Sequence, residues 1–90
     1  MKVRYSSRAL EDLDHIRQYI SKDNTSAAWV VASFIRHSIR TLEHFPYRGR
    51  ATEIEGVRRL VVPNYPYIVY YKTESKQVIV LNILHSAQNH

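Results

Sequence analysis

A small set of arginine, tyrosine and histidine residues could carry chemistry in this chain. They are Arg58 and Arg59 in one apolar run, Tyr67 and Tyr70 in the next, and His85 at the end of the last. Cleavage of an RNA phosphodiester by its own 2′-hydroxyl requires a base, an acid for the leaving oxygen and positive charge beside the phosphate. His85 can exchange a proton near neutral pH, whereas arginine supplies only charge. Because one histidine cannot be both base and acid in one step, Tyr67 or Tyr70 would have to supply the second role.

The same residues also suit binding without chemistry. Neighbouring residues of a strand point to opposite faces, so at most one arginine of the Arg58-Arg59 pair lies on a given functional surface. Arginines on either side of Gly49 can contact phosphate or an acidic partner. The candidate binding residues are Arg48, Arg50, Arg58, Arg59, Tyr70 and His85. Ordinary solvated arginines, and a histidine that orders the chain end through a backbone hydrogen bond, explain these residues equally well without a function.

Charge and composition limit the function classes. Thirteen Lys and Arg against eight Asp and Glu give a net charge of +5, which favours nucleic acid or an acidic polypeptide as partner, although solubility alone explains it equally well. The chain has no cysteine, so disulfides, thiolate zinc sites and cysteine nucleophiles are excluded. The histidines at 37 and 44 are seven residues apart, which is not the i, i+4 spacing of a ligand pair. We expect neither a metal nor a cofactor.

The chain length and its first residues bear on domain organisation and location. Ninety residues are enough for one core only, so we expect a single domain over residues 1–90. No apolar run approaches the roughly 20 residues of a membrane span, and residues 1–5 lead into a strand-like segment rather than a signal peptide. We therefore expect a cytoplasmic protein with no membrane contact. The polar segment 86–90 is too short to pack as a helix and is expected to reach toward a target.

The first half of the chain has helical spacing. Apolar residues recur in steps of three and four at Ala9, Leu13, Ile16 and Ile20, then at Ala28, Val31, Ile35, Leu42 and Phe45, with Ser38 between Ile35 and Leu42. These patterns predict one helix ending near Lys22 and a second ending before Pro46. Ser6 and Ser7 offer an N-cap for the first helix, and Glu11 and Asp12 are expected in its first turn. The short turn at 23–26 makes the helices an antiparallel hairpin.

The second half has the composition of strands. After a loop at 45–56, β-branched and aromatic residues crowd into three runs at 57–62, 67–71 and 77–85, which favours an antiparallel meander. With a first strand at 2–5, the predicted fold is α+β in the order β-α-α-β-β-β, an antiparallel sheet with the helical hairpin packed on one face. Residues on both sides of the last strand are apolar, so the second face requires a partner or a tail as cover.

Four motifs follow one another along the chain. They are Ala9-x-x-Asp12-Leu13-x-x-Ile16-x-x-Tyr19-Ile20, Ile39-x-x-Leu42-x-x-x-Pro46-x-x-Gly49-Arg50, Arg59-Leu60-Val61-Val62 with Tyr67-Ile68-Val69-Tyr70-Tyr71, and Ile83-Leu84-His85-x-Ala87-Gln88. In order and spacing they resemble the ParE/RelE superfamily of toxins from bacterial type II toxin–antitoxin modules, over nearly the whole chain. The resemblance implies the fold just described, a toxic activity and a cognate antitoxin as partner.

The resemblance implies one of two activities. RelE-like members cut mRNA on the ribosome without a metal, using a cluster of basic residues with tyrosine or histidine, whereas ParE-like members inhibit DNA gyrase. Arg58 matches one basic position of the RelE pattern, but Leu60 and Tyr67 stand at two others, and a further one falls near Ala87. The ending Ile83-Leu84-His85 resembles the ParE branch.

We therefore predict a ParE-like toxin that inhibits DNA gyrase and is neutralised by a cognate antitoxin. The alternative is a RelE-like, ribosome-dependent mRNA endonuclease, in which Arg58, Tyr67 and His85 would be catalytic. A third interpretation is an inactive member of the superfamily that binds only an antitoxin. The residues alone leave the enzymatic and non-enzymatic interpretations open.

Overall fold

A computed structural model describes residues 1–88 and arranges them in two layers, with two helices on one side of a five-stranded sheet. The elements are β1 (Lys2–Tyr5), α1 (Ser7–Ser21), α2 (Thr25–Arg40), a 3₁₀ turn (Thr41–Glu43), β2 (Arg50–Ala51), β3 (Val57–Val61), β4 (Tyr67–Thr73), β5 (Gln77–His85) and a second 3₁₀ turn (Ser86–Gln88). The predicted α+β class is confirmed. Residues 89 and 90, the end of the predicted tail, lie outside the described residues. Within 1–88, no helix has the length and apolar character needed to span a membrane.

Both helices begin at polar caps. The Ser6 hydroxyl accepts a hydrogen bond from the Ala9 amide at 3.0 Å, and the Asn24 side chain accepts one from the Ala27 amide at 3.0 Å, as expected of N-cap residues. The first helix ends at its cap residue Lys22, as predicted. Glu11 and Asp12 lie in the second turn rather than the first, because the helix begins at Ser7.

The second helix is shorter than its apolar pattern predicted. The α-helix ends at Arg40, and the next three residues form a 3₁₀ turn. A 3₁₀ turn advances by a larger angle per residue than an α-helix, so the apolar stripe does not continue on the same face. Leu42 remains fully buried, whereas Phe45 is 65% exposed. The prediction that Phe45 belongs to the core was wrong.

The sheet is mixed rather than purely antiparallel. Its strands lie in the order β1-β5-β4-β3-β2, and β1 runs parallel to β5 while every other pair is antiparallel. A parallel pair needs a long crossover connection, and the helical hairpin and meander between β1 and β5 supply it. The predicted loop at 45–56 also contains the two-residue strand β2, which pairs with β3.

The core lies between the helices and one face of the sheet. Its most buried members are Ala9, Ile35, Ile39, Leu42, Val62, Val69, Tyr71, Val78, Val80 and Ile83. A bulge interrupts β5, since Tyr70 lies opposite Asn82 but Tyr71 lies opposite Val80. The extra residue shifts the alternation of β5 by one position. The side chains of Val80 and Ile83 therefore both face the helices, although they are three residues apart.

The helices leave the other side of the sheet uncovered. We call this side the open face, and the strand register assigns to it Lys2, Arg4, Arg50, Val57, Arg59, Val61, Ile68, Tyr70, Lys72, Gln77, Ile79, Asn82 and Leu84. Of these, Ile68 is buried at 3% exposure. Its apolar residues on β5 are half-buried, and Val61 is 57% exposed. The helical hairpin therefore covers one of the two apolar sides of the last strand, as predicted.

Candidate functional site

Two of the candidate catalytic residues meet at one end of the sheet. Tyr67 begins β4 and lies directly opposite His85, the last residue of β5. The two rings pack edge to face, with centroids 5.4 Å apart and planes 84° apart. They line a groove of about 660 Å³ between the sheet and α1, which we call the Tyr67–His85 groove. The other lining residues are Arg8, Asp12, His15, Ile16, Tyr19, Ile83 and Leu84.

The wall of this groove is held by two side chains from the start of α1. The Asp12 carboxylate accepts a hydrogen bond from the Ile83 amide at 2.9 Å, and its other oxygen pairs with Arg8 at 3.0 Å. The Ser6 hydroxyl donates to the Leu81 carbonyl at 2.8 Å. The pairing of β1 with β5 ends at Val80, and these two side chains bond backbone groups of β5 just beyond that point. The sequence motif contains Asp12, but no local pattern indicates its partner 71 residues away.

The protonation states of the groove residues limit their chemistry. The Nδ1 atom of His85 accepts a hydrogen bond from the Ala87 amide at 3.1 Å, so this nitrogen is engaged with the backbone of the residues that follow β5. Burial raises the pKa of the Tyr67 hydroxyl, and the nearby Tyr19 raises it further. Tyr67 therefore stays protonated at neutral pH and can donate a proton or a hydrogen bond, but it is a poor base.

Arg58 does not join Tyr67 and His85. Its partner across the sheet is Tyr71, which stands four residues, or about 13 Å, along β4 from Tyr67. The Arg58 guanidinium donates to the Gly49 carbonyl at 2.8 Å and lies over the Tyr47 ring, 5.0 Å from its centroid. The side chain thus holds the loop between α2 and β3 against the sheet.

Tyr71 fixes the same loop from inside the core. Its hydroxyl donates to the Pro46 carbonyl at 2.9 Å and accepts from the Gly49 amide at 2.8 Å. A Cβ on residue 49 would lie 2.8 Å from both the Tyr71 ring and the Arg59 carbonyl, so only glycine fits there. Sequence reasoning did not assign Tyr71 this role. The spacing of Pro46 and Gly49 in the second motif was the available signal, but it does not identify the partner.

Three candidate binding residues form a row across the open face. Tyr70, Arg59 and Arg50 are successive cross-strand neighbours on β4, β3 and β2. Arg48, by contrast, lies in the loop, where its guanidinium donates to the Thr41 hydroxyl at 2.9 Å. The predicted binding residues are therefore divided among the open face, the loop and the Tyr67–His85 groove. Within residues 1–88 no three histidine or acidic side chains are grouped as a metal site requires.

A solved structure shares this arrangement of helices and strands. A chain of the structure titled "Chromosomal ParDE TA system from P. aeruginosa" matches with a TM-score of 0.83, covering 94% of this chain and 95% of that chain at 24% identity. At this identity the match shows the fold. A helical hairpin on a mixed sheet, with β1 beside β5, is thus a fold present in a bacterial toxin–antitoxin system.

Sequence comparison gives the family. Residues 3–90 match the family described as "ParE toxin of type II toxin-antitoxin system, parDE", and the chain belongs to this family. It is 37% identical over 87 residues to the Sinorhizobium fredii protein "Putative toxin Y4kP", covering 97% of this chain and 90% of that protein. It is 32% identical over 87 residues to "Toxin RelE2" of Caulobacter vibrioides, covering 97% of each.

These matches confirm the superfamily that the four motifs predicted. The chain is a toxin of a type II toxin–antitoxin system. The name of the matched family contains ParE, and the name of one matched protein contains RelE.

Proposed function

We propose that this toxin acts in the cytoplasm by binding and inhibiting DNA gyrase, without catalysing a reaction. The observation that carries the proposal is the separation of Arg58 from Tyr67 and His85. In the described residues, the cation expected beside the scissile phosphate is engaged with the loop at Gly49, about 13 Å along the sheet from the two proton-exchanging groups. The gyrase target follows from the likeness to the ParE branch.

Electrostatics in the Tyr67–His85 groove also favours binding. Phosphoryl transfer is accelerated mainly by positive charge aimed at the phosphate. The arginine that lines the groove is Arg8, and it is paired with Asp12 at 3.0 Å. Its charge is therefore largely compensated, and the groove is better suited to hydrogen bonding and ring stacking than to stabilising a dianionic transition state.

We further propose that a cognate antitoxin neutralises the toxin by covering apolar and basic surface. The helices expose the apolar side chains of Leu10, Trp29, Val30 and Phe34, which a bound partner would remove from water. Arg48 and Arg50 are exposed and available to acidic residues of the antitoxin. Arg58 is half-buried against the loop, so its contribution to such an interface is smaller. Antitoxin segments that fold on binding can cover a large surface with a short chain.

Two reactions in parallel test the gyrase proposal. In the first reaction, purified toxin is added to gyrase together with a relaxed plasmid, and supercoiling is measured. In the second, toxin is added to ribosomes that translate a defined mRNA, and cleavage of the mRNA is detected by primer extension. We expect loss of supercoiling and an intact message. His85→Gln should raise the inhibitory concentration but still inhibit gyrase fully at saturation, because no proton is transferred. His37→Gln, at an exposed position of α2, is the matched control and should behave as wild type.

The alternative function is a ribosome-dependent mRNA endonuclease, favoured by the edge-to-face contact of Tyr67 and His85 in one groove. In that case the wild type cuts the message, and His85→Gln lowers the cleavage rate by roughly 10²–10⁴-fold at saturating toxin. Tyr67→Phe would lower it as well, since the phenol would supply the second proton transfer. Cut messages with unchanged supercoiling would overturn the gyrase proposal.

A further inference from the structure

We propose that the open face of the sheet binds the phosphate backbone of duplex DNA. The inference rests on the proposed function, because gyrase acts on DNA and an inhibitor bound to the enzyme lies close to the duplex. The five strands contain six Lys and Arg residues and no Asp or Glu, whereas all eight acidic residues belong to helices, turns and loops.

The strand register gathers five of these six cations on the open face. They are Lys2 and Arg4 on β1, Arg50 on β2, Arg59 on β3 and Lys72 on β4. The sixth, Arg58, points to the other side of the sheet. Adjacent strands are about 4.8 Å apart, so the cations extend about 19 Å from β1 to β2. A duplex carries one negative charge per roughly 1.7 Å of its axis, and a segment of that length offers more phosphates than the face has cations.

Most of these cations lack an anionic partner in the described part of the chain. Lys72 pairs with Glu74 at 3.5 Å, and the other ion pairs of residues 1–88 involve α1 only. Arg50 and Arg59 lie directly opposite each other on β2 and β3. Like charges in this position destabilise a sheet. A bound polyanion would compensate the repulsion between Arg50 and Arg59. Binding therefore accounts for a pair of charges that destabilises the free protein.

The scarcity of aromatic rings on the open face favours duplex DNA over single-stranded nucleic acid. Sequence-independent binding to single strands depends on a series of aromatic rings on which bases stack, and the open face presents one ring, Tyr70, among five cations. Guanidinium groups suit phosphate because they bind it through two parallel hydrogen bonds, and three of the five cations are arginine. Cations without stacking rings are typical of contacts to the phosphate backbone of a duplex. Such contacts do not depend on the base sequence.

The test measures binding of the full-length toxin to a fluorescein-labelled duplex by anisotropy, at salt concentrations from about 50 to 200 mM. Wild type should bind duplexes of unrelated sequence with similar affinity, and log K should fall linearly with log salt. Arg59→Gln should weaken binding and reduce the slope by about 1, and the Arg50→Gln, Arg59→Gln double variant by about 2. Arg40→Gln, which removes the same charge from the end of α2, is the matched control and should change neither quantity.

Several outcomes would overturn the inference. The first is absence of duplex binding. The second is a salt-dependence slope that is unchanged in the double variant. The third is binding to single-stranded RNA more than tenfold tighter than to duplex DNA, which would indicate an mRNA ligand instead. If an acidic antitoxin peptide were the true occupant, the double variant would lose peptide binding while duplex binding stayed absent. Arg4→Gln at the sheet edge repeats the test if the double variant melts at a lower temperature than wild type.

The gyrase assay separates this inference from the proposed function. A toxin that inhibits gyrase but shows no duplex binding would overturn the DNA-binding face and leave the gyrase proposal standing. Duplex binding with the expected slopes, but no effect on supercoiling, would support the face and overturn the gyrase proposal. If the toxin both binds duplex DNA and inhibits gyrase, the concentration of the double variant needed for half-inhibition should rise in proportion to its loss of duplex affinity.

Discussion

Tyr71 is the residue on which the loop between α2 and β3 depends. Its ring belongs to the core, and its hydroxyl bonds the carbonyl of Pro46 and the amide of Gly49. Burial raises the pKa of this hydroxyl, although the Gly49 hydrogen bond and nearby arginines act in the opposite direction. The neutral phenol is thus the form that the fold uses. Because Arg50 and β2 follow this loop directly, Tyr71 also helps to place a cation of the open face.

We expect Tyr71→Phe to lower the free energy of unfolding by roughly 1–3 kcal/mol, because two backbone groups lose a buried partner. The comparison is Tyr47→Phe, which removes a hydroxyl from an exposed ring in the same loop and should change stability by no more than about 0.5 kcal/mol. Urea denaturation of both variants measures the difference. Equal midpoints would show that the loop is not anchored through the Tyr71 hydroxyl.

At the scale of elements, the decisive junction is between α1 and the bulge of β5. The helix is capped by Ser6, whose hydroxyl accepts from the Ala9 amide and donates to the Leu81 carbonyl, and six residues later the Asp12 carboxylate accepts from the Ile83 amide. The bulge changes which residues of β5 face the helices, and the two polar side chains bond the backbone where that change occurs. The same junction forms one wall of the Tyr67–His85 groove.

Removing the Asp12 side chain should weaken this junction. Asp12→Ala leaves the Ile83 amide without its acceptor, so we expect a loss of roughly 1–3 kcal/mol of unfolding free energy. Asp14→Ala is the control, because Asp14 forms an exposed pair with Arg17 on the same helix, and its loss should cost no more than about 1 kcal/mol. A loss no larger for the first variant than for the second would argue against the Asp12–Ile83 contact.

The bulge also predicts different costs for two apolar residues of β5. Ile83 is 2% exposed and faces the helices, so Ile83→Ala should cost roughly 2–5 kcal/mol. Leu81 is half-buried and lies outside the core, so Leu81→Ala should cost clearly less. Thermal or urea unfolding of the pair measures this. Equal costs would mean that the alternation of β5 is not reversed at the bulge.

At the scale of the whole molecule, the sheet and the helices expose different sets of side chains. The open face collects five cations, four of which have no acidic partner within residues 1–88, while the helices expose apolar side chains, including the single tryptophan, Trp29, at 59%. The Arg17 guanidinium lies 5.2 Å from the centre of its ring. A protein with two such different surfaces can engage two partners of different chemistry, an antitoxin that buries apolar area and a polyanion.

Trp29 reports on the first of these partners. If the antitoxin covers the helical hairpin, its binding should transfer Trp29 from water to an apolar environment and shift its fluorescence to shorter wavelength. A tryptophan-free antitoxin, or one with its tryptophans replaced, makes the change specific, and Trp29→Phe toxin gives the background. An unchanged spectrum in a saturated complex would place the antitoxin elsewhere on the toxin.

The amino-acid sequence by itself determined the caps, the helices, the three runs of the meander and the superfamily. These are set by signals within a few residues of one another, namely polar caps, apolar spacing and β-branched clusters. The opposite directions of Arg58 and Arg59 followed from strand alternation in the same way. The prediction that Phe45 belongs to the core was wrong, because the helical period changes at the 3₁₀ turn that precedes it.

Only the tertiary structure decided which residues act together. The Asp12–Ile83 contact spans 71 residues and the Tyr71–Gly49 contact spans 22, and no local pattern specifies such partners. Strand order and register separated Arg58 from His85 and brought cations from four strands onto one face. Register is set by packing of the whole sheet against the helices. The residues that form each candidate site are therefore determined by the tertiary structure and not by local sequence patterns.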